Sequence, residues 1–218
     1  MMDELELLKK DWQKKEENHP KVSYNDINNM LWKKSSSLVK WIFIISIIEF
    51  TLPHLLYLLP STWEGFKMYR TLNIGNIILS LNIIQYSVII YFIYQFYTRY
   101  KEISVLENAK NLMAKILKTR KTVKHYVLFS LSSIIINFTV FAFGIYFSSD
   151  FTGFLEVIGA DTEIATENIN KTKLIFSAII IIVGISITSL MGLVYFLLYG
   201  ILLKKLKRNY NELQKIEV

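Results

Sequence analysis

The chain has 218 residues, of which 52% are hydrophobic, and it carries a formal net charge of +7. It contains no cysteine, which excludes disulfides, thiolate metal sites and thiol nucleophiles. The basic residues flank long apolar runs instead of forming a separate basic domain, so we expect no nucleic-acid partner. Four runs reach or approach the roughly 18 apolar residues of a spanning helix. We therefore predict an all-α integral membrane four-helix bundle with cytosolic helical extensions.

Residues 1–40 form a predicted cytosolic N-terminal arm, highly charged and without a cleavable signal peptide, so the first span is expected to be an uncleaved anchor. Leu8 and Trp12 fall on one helical stripe, and either contact a soluble partner or belong to a plain juxtamembrane arm. Ser23 or Asn25 is a suitable cap for a second helix, which leads toward the membrane.

The first span is predicted at 41–59 and has Glu49 near its middle. A carboxylate at that depth is costly and is a functional hypothesis by default. Glu49 either makes a structural hydrogen bond to a neighbouring helix or serves transport, proton transfer or gating.

Further polar side chains lie inside the next two predicted spans, 73–97 and 127–147. Asn82 and Gln85 belong to the second span, and Asn137 belongs to the third. Amides at such positions usually join helices to each other, but they are also candidates to face Glu49 inside the bundle.

The segment 98–126 between these spans carries eight basic residues and two acidic ones. Apolar residues at helical spacing predict that the second span continues into the cytosol as an amphipathic helix; they are Ile103, Leu106, Ala109, Met113 and Ile116. Leu106 and Met113 are candidate partner contacts. Lys118 to Lys124 is expected to form a basic turn into the third span.

A longer outer loop, 148–173, precedes the fourth span at 174–203. Gly184, Thr188 and Gly192 recur every four residues, a pattern that permits close helix approach within the bundle or between copies in a homo-oligomer. The tail, 204–218, keeps an apolar stripe and is expected to extend the fourth span as a cytosolic helix.

Basic residues fix the predicted orientation. The arm holds eight, the central segment eight and the tail five, whereas each outer connection holds two. Both termini are therefore expected on the cytosolic side of the membrane, where the basic residues can meet anionic headgroups.

The chain has no nucleotide-binding glycine motif, no nucleophile elbow and no zinc-protease motif, and its three histidines are scattered. We therefore assign no catalytic, cofactor-binding or metal residue, and we expect no enzyme activity and no cofactor.

Four segments carry a family resemblance: DELELLKKDWQKKEE, KSSSLVKWIF, LMAKILKTRKTVKHY and YGILLKKLKRNYNEL. The chain resembles an uncharacterised four-span family of flavobacterial inner-membrane proteins. The resemblance extends loosely to regulators encoded beside extracytoplasmic-function sigma factors, which implies an anti-sigma-like role with the arm binding a sigma factor. The paired cysteines of zinc-type anti-sigma proteins are missing here.

Two functional hypotheses follow. The first is a non-enzymatic interaction or regulatory protein that presents its cytosolic helices to a partner. The second is a small transporter or channel-like subunit that uses Glu49 inside the bundle.

Overall fold

The computed structural model describes residues 23–56, 65–104, 108–160 and 168–216. Within these ranges the regular structure is entirely helical, which confirms the all-α prediction. The elements are α1 (Tyr24–Leu56), α2 (Gly65–Thr71), α3 (Gly75–Ser104), α4 (Ala109–Phe147), α5 (Phe151–Val157), α6 (Ile169–Tyr195), a π-helical turn (Phe196–Gly200) and α7 (Ile201–Ile216).

Four helical rods are long and apolar enough to cross a membrane: α1, α3, α4 and the unbroken run from α6 through the π-helical turn to α7. The prediction of four membrane-length helices is confirmed. Helix α4 has 39 residues, so at 1.5 Å per residue it is about 58 Å long, nearly twice the ~30 Å hydrocarbon thickness of a bilayer.

Helix α1 begins at the predicted cap. The Ser23 Oγ accepts a hydrogen bond from the Asp26 N–H at 3.2 Å, and the Asp26 carboxylate accepts one from the Ser23 N–H at 3.1 Å. This reciprocal pair satisfies free N–H groups at the start of the helix. The helix then continues to Leu56. Residues 24–40 of the arm and residues 41–56 of the predicted first span are therefore one helix.

The amphipathic stripe of the central segment is divided between two helices, so the prediction of one continuous helix is wrong. Helix α3 ends at Ser104, and α4 begins after Asn108, whose side chain accepts a hydrogen bond from the Asn111 N–H at 2.9 Å. This cap starts a new helix. Ile103 on α3 and Ile116 on α4 nevertheless meet in one buried cluster.

The predicted basic turn at Lys118–Lys124 is also wrong, because these residues are helical within α4. Thr119 and Val123 are buried, whereas Lys118, Lys121 and Lys124 are exposed. An amphipathic helix can carry alternating basic and apolar residues on opposite faces, so the charges do not require a turn.

Two apolar cores hold the bundle. The tail-end core joins α1, α3, α4 and the α6–α7 rod, and its buried members include Leu31, Val39, Ile42, Phe96, Ile103, Ile116, Val123, Tyr126, Leu206 and Leu213. The cap-end core lies at the opposite end under α2 and α5 and consists of Leu72, Ile74, Ile78, Ile145, Phe151, Phe154 and Leu155. We call the end of the bundle that contains the first core the tail end, because it includes α7. The opposite end is the cap end, because α2 and α5 cover it.

Hydrogen bonds also join helices at the tail end. The Trp32 indole donates to the carbonyl of Ile103 at 2.7 Å, and the Lys115 ammonium donates to the carbonyl of Glu102 at 2.8 Å. Both acceptors lie in the last turn of α3, where carbonyls lack partners within the helix. Asn209 of α7 donates to the hydroxyl of Ser35 in α1 at 3.1 Å, and both side chains are buried.

The small-residue seam of the fourth span faces α4. Gly184 is buried, and a Cβ atom at this position would lie 2.6 Å from the Cβ of Phe138. A Cβ at Gly192 would meet the side chain of Leu131 at 4.0 Å, an ordinary contact. Thr188 donates its hydroxyl to the carbonyl of Gly184 at 2.7 Å. Close packing at Gly184 is therefore a contact within the chain.

We expect Gly184→Ala to lower the free energy of unfolding by about 1–3 kcal/mol, because the added methyl group forces α6 away from Phe138. Gly192→Ala is the matched control and should leave stability nearly unchanged. Thermal unfolding in detergent micelles measures both. Equal stability of the two variants would contradict the packing described for Gly184.

Candidate functional site

Glu49 is anchored by two tyrosine hydroxyls of the fourth helical rod. The Tyr195 hydroxyl donates to one carboxylate oxygen, and the Tyr199 hydroxyl donates to the other at 3.0 Å. Each carboxylate oxygen therefore has its own donor. These bonds link the last third of α1 to the end of α6 and the π-helical turn that follows it.

The tyrosines meet Glu49 because of the local helix geometry. Tyr195 and Tyr199 are four residues apart, which places both on one face of a helix. The π-helical turn, Phe196–Gly200, starts directly after Tyr195 and contains Tyr199. Single π turns inside α-helices are rare and often occur at functional sites.

Tyr126 of α4 completes an aromatic wall beside the carboxylate. Its ring lies 6.3 Å from that of Tyr195 and 5.9 Å from that of Tyr199, both nearly edge to face. The ring centroids of Phe92 and Phe96 of α3 lie 5.5 and 5.4 Å from that of Tyr126. We call these five residues the aromatic cluster. Its residues belong to the tail-end core or pack against it. The aromatic cluster therefore encloses Glu49 on the side that faces this core.

On its other side Glu49 lines a cavity of about 390 Å³. Asn82, Gln85 and Asn137 line the same space. The Asn137 side chain donates to the Gln85 side-chain oxygen at 3.2 Å and to the carbonyl of Ser133 at 2.9 Å. The structure thus brings together all four intramembrane polar candidates from three different helices.

The rest of the cavity wall is mainly apolar and reaches the cap end. It includes Phe50 and Pro53 of α1, Ile78, Tyr86 and Ile89 of α3, and Gly65, Phe66 and Tyr69 at α2. A volume of about 390 Å³ falls within the ~300–1,000 Å³ range of ligand pockets. A few convergent polar groups in an otherwise apolar wall are typical of such sites.

The chemistry of these groups favours a cation or a neutral hydrogen-bonding solute. The Glu49 carboxylate and the oxygens of Asn82 and Gln85 are acceptors suited to a hard cation or an ammonium group. The tyrosine hydroxyls donate to the carboxylate and so hold it in a fixed orientation. A preorganised anion of this kind loses little freedom when it binds a ligand.

Of the four residues predicted to contact a partner, Met113 alone lies within the described residues. Met113 is partly buried and packs against the tail-end core. Leu8, Trp12 and Leu106 lie outside the described residues, so their candidate role stays a prediction.

The profile of one protein family matches residues 25–218. Its description is "Domain of unknown function (DUF8845)". The chain belongs to the DUF8845 family. This confirms the prediction of an uncharacterised family, and the matched range includes Glu49, the cavity amides and the aromatic cluster. No curated protein and no solved structure matches the chain.

We expect Tyr199→Phe to lower the free energy of unfolding by about 1–3 kcal/mol, because one oxygen of Glu49 then loses its donor. In the double variant that also carries Glu49→Gln, the two losses of unfolding free energy should be non-additive, with a coupling of about 0.5–3 kcal/mol. Tyr94→Phe is the control, because that side chain is 65% exposed. Additive losses in a double-mutant cycle of detergent unfolding would show that the hydroxyl does not stabilise the carboxylate.

Proposed function

We propose that this DUF8845 protein is a non-enzymatic transporter or channel-like subunit in which Glu49 binds a small cation. The observation that carries the proposal is the cavity where the Glu49 carboxylate meets open space beside Asn82, Gln85 and Asn137. A carboxylate needed only to join helices would be enclosed by its partners. Ionisable groups inside membrane helices characteristically face cavities that carry ions or protons.

The proposal includes an orientation. The distribution of lysines and arginines favours both termini in the cytosol. The resemblance to flavobacterial inner-membrane proteins favours a bacterial inner membrane. With that orientation the cap end faces the periplasm, and the wall formed by Phe66 and Tyr69 places the cavity nearer that side. A cation would therefore reach Glu49 from the periplasmic side.

Passage beyond Glu49 requires a movement. The aromatic cluster separates the carboxylate from the tail end, and Tyr126 and Tyr199 within it are fully buried. The π-helical turn lies at this barrier, where the backbone departs from regular α-helical bonding. We propose that rearrangement at this turn displaces Tyr195 and Tyr199 and opens the second half of the path.

Flux through reconstituted vesicles tests this proposal. The intact protein is placed in liposomes that contain a pH-sensitive dye, and proton and potassium gradients are imposed in separate experiments. We expect flux above that of empty liposomes. Glu49→Gln should reduce it by about tenfold, which corresponds to ~1.4 kcal/mol of lost cation attraction.

Glu212→Gln is the matched control, because Glu212 makes a 3.6 Å ion pair with Arg208 on α7, far from the cavity along the chain. It should leave the flux unchanged. The proposal would be overturned if liposomes with the wild-type protein showed no more flux than empty liposomes. Equal flux for wild type and Glu49→Gln would also overturn it.

A second candidate is the interaction or regulatory protein indicated by the sequence. It is favoured by the exposed basic surface of the tail end, which includes Lys33, Lys34 and Lys40 of α1, Lys118, Lys121 and Lys124 of α4, and Lys204, Lys205, Lys207 and Arg208 of α7. The apolar stripes of these helices pack against each other. A partner would therefore meet charge, which favours an acidic protein surface or anionic headgroups. The resemblance to anti-sigma-like regulators makes a sigma factor one such partner.

Affinity capture of the full-length protein from membranes tests this second candidate. Trp12→Ala and Leu106→Asp test the arm and the central segment, and the double variant Lys204→Glu, Lys207→Glu tests the basic surface. We expect each to reduce recovery of the partner. Lys171→Glu, an exposed lysine at the cap end, is the control. Equal recovery with all variants would contradict this role.

A further inference from the structure

A second concave surface lies beside the Glu49 cavity. It is a groove of about 670 Å³ between α2 and the face of α3 directed away from the bundle. Leu79 and Ile83 form its floor and are 60% and 59% exposed. Large apolar side chains at a membrane-facing surface are expected to contact lipid.

The floor of the groove is elongated along the helix axis. Leu79, Ile83 and Tyr86 are spaced at four and three residues, so they share one face of α3. From Leu79 to Tyr86 the helix rises by about 10 Å. The groove therefore extends from the cap end toward the middle of the bundle, which suits an acyl chain lying along the helix.

The mouth of the groove is basic. Lys67 and Arg70 of α2 line it, and both are exposed. They are three residues apart, so they lie on the same side of this short helix. Among the described residues that line the groove there are two positive charges and no carboxylate. A guanidinium and an ammonium close together are well suited to a phosphate group.

We propose that this groove is a binding site for one anionic phospholipid. Its phosphate lies between Lys67 and Arg70, and one acyl chain lies along Leu79 and Ile83. Free phosphate would leave the apolar floor uncovered, and in a zwitterionic phospholipid the headgroup cation would offset the phosphate charge that attracts Lys67 and Arg70. This combination of charge and shape therefore selects an anionic phospholipid.

The groove also adjoins the cavity, because Phe66, Asn82 and Tyr86 line both. A lipid in the groove would cover this shared wall and separate the polar cavity from the bilayer. Lipid binding in the groove does not depend on cation passage at Glu49.

Photocrosslinking provides the test. The intact protein is reconstituted into vesicles that contain either phosphatidylglycerol or phosphatidylcholine with a photoreactive acyl chain, and adducts are mapped by peptide mass spectrometry. We expect phosphatidylglycerol adducts on residues 79–86 and much weaker phosphatidylcholine adducts there. The double variant Lys67→Gln, Arg70→Gln should weaken phosphatidylglycerol binding by about thirtyfold, since each surface cation contributes ~1 kcal/mol toward an anionic lipid.

Lys121→Gln, Lys124→Gln is the control, because it removes the same charge from exposed positions on α4 at the tail end. The yield of lipid adducts on residues 79–86 of this variant should match that of the wild type. Equal labelling by the two lipids, or an unchanged yield in the Lys67, Arg70 double variant, would overturn the proposal. So would displacement of the lipid by inorganic phosphate at the same concentration, which would show that the acyl chain adds nothing.

Discussion

The bundle depends on how it accommodates one carboxylate. Glu49 lies in an apolar helix, where an isolated charge would be costly to bury. Tyr195 and Tyr199 satisfy both carboxylate oxygens from one side. Because both donors come from the fourth helical rod, Glu49 joins α1 to that rod. The opposite side of the carboxylate remains free to face the cavity.

The two cores explain why a cavity persists between them. The tail-end core is closed by large side chains from four helical rods, and the cap-end core is closed by α2 and α5. The layer between them contains Asn82, Gln85 and Asn137. The Asn137 amide donates to Gln85 and to the backbone, and polar side chains cannot pack as apolar ones do. Polar residues therefore hold open a space that apolar ones would fill.

The four long apolar helices and the polar residues within them could be predicted because each depends on local composition. Uninterrupted apolar runs must be helical in a bilayer, and Glu49 stands out because it interrupts one. The tyrosine donors were not predicted, since Tyr195 and Tyr199 resemble ordinary interfacial aromatics and their spacing does not identify a partner on another helix. The break before Asn108 was missed because a helical stripe fits one long helix and two packed helices equally well.

The length of α4 has a mechanical consequence. This one helix packs in the tail-end core through Ile116 and in the cap-end core through Ile145, and it lines the cavity between them through Asn137. A rod of about 58 Å that pivots by ~5° about its midpoint moves each end by about 2.5 Å. Displacement of its basic end would therefore move the opposite end by a similar distance, so α4 links the two cores mechanically.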